Sequence, residues 1–390
     1  MNPSSGPLQG IKILDIGSMI AAPLAAGILA DQGAEVIKVE QPGIGDLTRY
    51  VGATCNGVSA IFQGVNRGKH SIAIDLKSQA GVEILHRMIA EVDVLIHNFR
   101  PGVVEKLQAD YATLSAINPN LIYVSVSGFG HEGPMSKKAA YDNVVQAFTG
   151  VDGEPAQYQQ LFVDKLTATI ASQAITAALL ARERGAGGQQ VKLSMADAAT
   201  SFLWPDASGT ATFKSEHADP GMQISRDSRL IKFSNGYAQA APVSDADFHG
   251  WCAAFGVDSS DPRLKTVIDR LSNAELVTAA SSQIFERALT MDLDETLAKL
   301  DAADVPCARA NALHELPADP QMQANKLFVE SEHPVAGPIV EPRNPANFSK
   351  TPSGCGFHSV ALGAHTDQIL QQLGFDSDSI QRLRESGVIM

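Results

Sequence analysis

The sequence predicts an α/β protein: a Rossmann-like, doubly wound parallel sheet in a large domain, with a smaller α+β domain inserted late in the chain. Between Ile11 and Ser127, short runs of aliphatic and β-branched residues alternate with stretches of helical length, the order of consecutive βαβ units. Beyond Trp204 this alternation is lost, and the order that follows is strands first and helices after. A length of 390 residues supplies material for about two domains.

Ile11 to Ile16 reads as the first strand, closed by Gly17, and Pro23 to Gln32 as a helix of small residues. Ala34 to Glu40 is the second strand, which completes a βαβ opening. After a Gly- and Pro-rich loop come a strand over Ser71 to Leu76, a helix over Ser78 to Ala90 and a strand over Val92 to His97. A helix over Val103 to Ile117 and a strand over Leu121 to Ser127 follow. Asn143 to Phe148 is a short helical stretch. The run from Leu161 is a long helix that stops at Gly185, Gly187 and Gly188 and returns as a strand, Gln190 to Ser194.

Asp206 to Arg229 lacks periodicity and reads as a linker. Ile231 to Val243 reads as a hairpin around Asn235 and Gly236, a common turn pair. Helices are expected over Asp245 to Phe255, Pro262 to Ile268, Asn273 to Leu289 and Leu293 to Ala303, then a strand over Val305 to Ala310. Glu330 to Phe348, with repeated Pro and Gly, is an extended return segment, and Gly363 to Met390 carries two helices. The expected divisions are a large domain over 1–205, a linker over 206–229, a small domain over 230–315, and a return to the large domain over 316–390.

A net charge of −13 argues against a surface for nucleic acid, since phosphate neutralisation needs clustered Lys and Arg. Cys55, Cys252, Cys307 and Cys355 form no CxxC pair, so neither a zinc site nor a disulfide framework is expected, and a reduced, cytoplasmic setting fits. No apolar run reaches bilayer length, and the first ten residues lack the pattern of a signal peptide.

The loop after the first strand, Gly17 to Ala22, lacks the GxGxxG spacing that lets backbone approach a pyrophosphate, so a nicotinamide or flavin cofactor is disfavoured. Ligands should still collect at the carboxyl ends of the strands. Arg67, Lys69, His70, Lys77, Asn98, Arg100 and Lys106 recur around those ends and together point to a pocket for several phosphates. Asp164 stands at the mouth of the long helix, where a carboxylate has two uses. It can cap free N–H groups, or, kept ionised by the helix dipole, serve as a covalent nucleophile. GAHTD near the end of the chain reads as another helix cap.

Ten segments carry a resemblance. Among them are LQGIKILDIG, GAEVIKVEQPGIGDLTR, NRGKHSIAIDL, NFRPGVVEKL, INPNLIYVSVSGFGHEGP, YDNVVQAFTG, VDKLTA and GAHTD, in order and reaching both ends of the chain. On these the protein resembles the family III coenzyme A transferases, to which α-methylacyl-coenzyme A racemase is related. The resemblance implies an interlocked homodimer and coenzyme A or acyl-coenzyme A as substrate, with no resident cofactor or metal. It also implies Asp164 as nucleophile, with Tyr141 in support. Coenzyme A contacts would come from Ile20, Ala21, Gln41, Ile74, Lys77, Asn98, Phe99, Arg100, Lys106 and Asp142. The implied activity is transfer of coenzyme A from an acyl-coenzyme A donor to a small carboxylic acid. The alternative within the superfamily is racemisation or isomerisation, by α-proton exchange or intramolecular transfer. Formyl-coenzyme A transferase has Gln at Ile20, Arg at Gln41 and a glycine run where Gly221 and Gly236 stand alone here. Those departures disfavour formyl and oxalyl chemistry. The racemase has a histidine at the place of Tyr141, and a phenol of ordinary acidity is a poor base for a carbon-bound proton.

Overall fold

The computed structural model describes residues 6–151, 159–219, 229–354 and 357–390. Gly221, Cys355 and part of the expected linker lie outside them. The chain divides into two compact units, one of Met1–Ser208 with Gln323–Met390, the other of Gly209–Met322.

The first unit is built on six parallel strands: β1 (Lys12–Asp15), β2 (Glu35–Glu40), β3 (Lys69–Ala73), β4 (Val94–His97), β5 (Ile122–Ser127) and β6 (Gln189–Ser194). Their order across the sheet is β3-β2-β1-β4-β5-β6, which places the reversal of direction between β1 and β4. Ile13 lies beside Val36 on one neighbour and Val94 on the other. Alternate side chains feed opposite faces, because strand residues point in turn up and down. Ile13, Val36, Val94, Ile122 and Val124 pack under helices α1 (Ala21–Asp31) and α4 (Phe162–Ala181). Leu14, Val39, Ile72, Leu95 and Tyr123 pack under α2 (Gln79–Ile89) and the C-terminal helices. Helix α3 (Asp142–Thr149) precedes α4, and α5 (Met195–Ala207) follows β6. Six of the eleven residues of α1 are Ala or Gly, and a Cβ on Gly27 would meet the Val65 carbonyl at 2.6 Å. Close approach of α1 to its neighbours therefore depends on its lack of bulk.

Beneath the carboxyl ends of β1 to β3 lies a buried ionic cluster. The Lys69 ammonium donates to Asp15 Oδ2 at 2.9 Å, to the Pro23 carbonyl at 2.6 Å and to Asn66 Oδ1 at 2.9 Å. Lys38 lies 3.0 Å from Asp46 and 3.6 Å from Asp15, and donates to the Gly17 carbonyl at 3.1 Å. Burial pushes Lys69 down to about 8, while for Lys38 the surrounding carboxylates Asp15, Asp46 and Glu40 outweigh burial and raise it. Glu40 receives Arg49, Ser71 and the Asp46 amide, extending the network to β3.

Several sequence expectations need correction. The helix expected over Val103 to Ile117 is two, Val103–Lys106 and Tyr111–Ile117. Gln108 takes φ +49° between them, and Asp110 caps the second by accepting from Thr113 N–H. GAHTD is no side-chain cap. Thr366 Oγ1 and His365 Nδ1 instead accept the N–H groups of Ala73 and Ser71, covering the edge strand β3. The return segment contains an antiparallel pair, Phe328–His333 with Gly337–Pro342. In the second unit Ile231–Phe233, Gly236–Ala240 and Cys307–Arg309 form a three-stranded antiparallel sheet. It carries helices Asp245–Ala254, Ala274–Ala288 and Leu293–Ala302. The helix expected at Pro262 is a short 3₁₀ turn, Pro262–Leu264, followed by Val267–Ser272.

Asp15 is fully buried between two lysines. Asp15→Ala should destabilise the protein by about 3 to 5 kcal/mol, because it strands buried charge. Urea denaturation of the first unit's transition measures this, and a loss below about 1 kcal/mol would contradict it.

Candidate active site

The C-terminal ends of β1 to β5 open into a cavity of about 1240 Å³. Its wall is assembled from the loops that leave those strands, the segment before α3, and the first turn of α4. The loop after β1 is held from two sides. Ser18 N–H donates to Asn98 Oδ1 at 2.9 Å, and Asn98 Nδ2 returns a bond to the Ser18 carbonyl at 2.8 Å. Met19, at φ +65°, directs its N–H at the Asp46 carboxylate, 3.2 Å from the nearer oxygen. That left-handed backbone is unfavourable for a methionine and is held by the ion cluster below. A Cβ on Gly17 would lie 2.9 Å from that of Ala22, so the turn also needs a residue without a side chain.

Asp164 lies in the first turn of α4 and lines the cavity. It is not the cap of its helix: the N-cap is Leu161, and among the described residues the Asp164 carboxylate accepts no hydrogen bond. Capping is done by Asp142 of α3, whose Oδ2 accepts the Asp164 N–H at 2.7 Å while its Oδ1 receives Gln146 Nε2. The same Gln146 amide donates to the Gln160 carbonyl at 2.7 Å, which ties α3 to the entrance of α4. Asp142 is buried, so its charge acts on Asp164 with little screening. Burial first and the Asp142 charge second push the Asp164 carboxyl up to about 7. Desolvation and this like charge oppose the ionised form that a helix N-terminus favours.

Ile20, Ala21, Gln41, Ile74, Lys77, Asn98, Phe99, Arg100, Tyr141 and Asp142 line the same cavity as Asp164. Lys106 does not; it is exposed at the end of its short helix. The phosphate pocket expected from seven polar groups is smaller than predicted. Arg67 pairs with Asp31 at 2.7 Å and Lys69 with Asp15, while His70 is buried against Phe357 and His365. Each meets a partner that sequence distance concealed. Lys77 and Arg100 remain on the wall, with no carboxylate partner among the described residues. Lys138, Gln146, Asp46 and Met195 also line the cavity and were not foreseen. For Asp46 the available signal was Lys38 and Glu40 in the strand EVIKVE, since a central strand holds charges only when they are paired. Among the described residues no group of three His, Cys, Asp or Glu side chains is placed to hold a metal ion, and no helix is long and apolar enough to cross a membrane.

Comparison with known proteins agrees with this architecture. A succinate–glutarate CoA-transferase of Agrobacterium fabrum is 31% identical over 388 residues, covering 94% of this chain and 96% of its own. A formyl-CoA:oxalate CoA-transferase of Escherichia coli is 30% identical over 421 residues, covering 99% and 100%. The crystal structure of a CAIB/BAIF family protein from Brucella suis superposes with a TM-score of 0.80 at 31% identity, covering 95% of this chain and all of that one. The family description "CoA-transferase family III" matches residues 8–366. A match over that span, joined to near full-length relatives at 30% identity or more, makes this protein a member of CoA-transferase family III.

Proposed function

We propose that the protein transfers coenzyme A from an acyl-coenzyme A donor to a small carboxylic acid, with Asp164 as covalent nucleophile. The carrying observation is that Asp164, whose carboxylate has no hydrogen-bond partner among the described residues, lines a cavity that also bears Lys77 and Arg100, cations without a carboxylate partner among those residues. The cations suit phosphates, and the carboxylate suits an acyl carbon. The Asp164 carboxylate attacks the thioester carbonyl and expels the thiolate, forming a mixed anhydride. The thiolate then attacks the aspartyl carbonyl and expels the donor acid, leaving an aspartyl thioester. The acceptor carboxylate reverses the two steps with its own acyl group. Activation passes from one acyl bond to the next and is not lost to water.

Nucleotide contacts far from the reacting carbon offset the formation of the anhydride. The wall residues Ile20, Ala21, Gln41, Ile74, Asn98, Phe99 and Asp142 would hold the nucleotide and pantetheine portions with Lys77 and Arg100, and Tyr141 would position the acyl group. Lys106 would have to reach the ligand from outside the cavity. The working unit in this reading is a homodimer. Exposed apolar side chains on the first unit, Phe148, Phe202 and Trp204 among them, support that assembly. The second reading, α-proton exchange, draws support from the same raised pKa, since a carboxylate titrating near 7 is a competent base at neutral pH.

Asp164→Asn should lower transfer at least about a thousandfold while leaving coenzyme A binding within a few-fold. Steady-state transfer and equilibrium dialysis measure the two, and transfer retained by the variant would overturn the reading. Mass spectrometry after incubation with acyl-coenzyme A should find coenzyme A on the Asp164 peptide. Solvent deuterium at the α-carbon without that adduct would favour proton exchange instead. Only the ionised carboxylate attacks, so kcat/KM should rise about tenfold per pH unit below about 7 and level off above it. A flat profile between about pH 5 and pH 8 would show that Asp164 does not titrate there. Arg100→Ala should weaken coenzyme A about tenfold, the effect of one charge-assisted contact, and flatten the salt dependence of binding measured by calorimetry.

A further inference from the structure

His97 ends β4, immediately before the Asn98–Arg100 wall of the cavity, and is 3% exposed. Its two ring nitrogens have different partners. Nδ1 lies 3.2 Å from the Phe99 nitrogen, whose N–H donates to it. Nε2 lies 2.9 Å from the Tyr123 hydroxyl, which donates its own proton to the Ala109 carbonyl at 2.9 Å. The hydroxyl therefore accepts from the imidazole, and Nε2 carries the proton. A proton on Nδ1 would face the Phe99 N–H and break the bond. Burial also holds the ring far below its ordinary range, at about 3, so the neutral form persists at all working pH values. The Phe99 ring stacks on the imidazole with 5.8 Å between centroids and 25° between planes. Its backbone and its side chain are thus both set by one residue.

We propose that His97, fixed as the Nε2–H tautomer, is a positioning residue for the coenzyme A site: by accepting the Phe99 N–H it sets the cavity wall formed by Asn98, Phe99 and Arg100. The chain of restraint runs from Ala109 through Tyr123 and His97 to Phe99, and from Asn98 to Ser18 in the loop after β1. Two loops that leave different strands are thereby held in one register. Nothing else among the described residues accepts the Phe99 N–H. The inference rests on the coenzyme A reading of the cavity, but its first readout does not need the ligand.

The two nitrogens can be replaced separately. In H97N the amide oxygen stands where Nδ1 stood and keeps the acceptor for Phe99, whereas H97Q places its amide near the Nε2 position and keeps only the partner of Tyr123. Hydrogen exchange of the Phe99 amide and equilibrium binding of free coenzyme A are measured for both, and for Y123F. The expected result is that H97Q loses amide protection and binds coenzyme A about tenfold more weakly, the worth of one such bond. H97N keeps both within about threefold, and Y123F lowers the melting temperature with affinity nearly unchanged. Equal losses in H97N and H97Q, or an unchanged Phe99 amide in H97Q, would overturn the proposal. Should H97Q fail to fold, affinity and protection retained in H97N and Y123F support it, and their loss overturns it. Absence of coenzyme A binding by the unaltered protein would defeat the reading of the cavity, whereas amide exchange would still decide the role of His97.

Discussion

Lys38 and Lys69, buried between Asp15, Asp46 and Glu40, set the geometry on which the cavity depends. Isolated charges in such a place would cost several kcal/mol each, so the cluster persists only while every member keeps its partners. Its members come from the ends of three adjacent strands and from the loop after β2. Moving any of them moves the carbonyl of Gly17 or the amide of Met19, and with these the turn that lines the cavity. The sheet positions the cluster, and the cluster positions the loop.

The remaining walls are held in the same manner, by polar groups below the surface that leave the exposed atoms free for other partners. Asp142 spends both carboxylate oxygens on backbone and amide donors, so its charge is fixed beside Asp164 without entering a salt bridge. Asn98 does the equivalent for the loop after β1. The cavity-lining cations Lys77 and Arg100, by contrast, are unpaired among the described residues. Satisfied groups behind and unsatisfied groups in front are what a preorganised site for an anionic ligand requires.

The parallel sheet and most of its helices were legible because hydrophobic period and turn residues are local signals, and the family motifs marked Asp164 and most of the wall. What the sequence concealed was pairing. Lys69 and His70 in the stretch NRGKHS look like members of a basic rim, yet one is neutralised by Asp15 and the other faces Phe357 and His365 from the far end of the chain. Thr366 looks like part of a cap and is instead bound to a strand edge. Asp142, adjacent to a tyrosine, gave no sign that it would cap another helix. Each of these depends on which distant residue arrives alongside, and periodicity carries no such information.

The environment of Asp164 bears on the direction in which the proposed mixed anhydride would break. A mixed anhydride has two carbonyl carbons, and attack at either expels the carboxylate of the other. Burial and the neighbouring Asp142 make a free negative charge on Asp164 unfavourable, with the carboxyl titrating near 7, whereas simple carboxylic acids ionise some two to three units lower. The better leaving group is then the donor acid. In the proposed mechanism a thiolate meeting that anhydride would be steered to the aspartyl carbon, and Asp164 would be kept as the carrier of coenzyme A without a separate residue to make the choice.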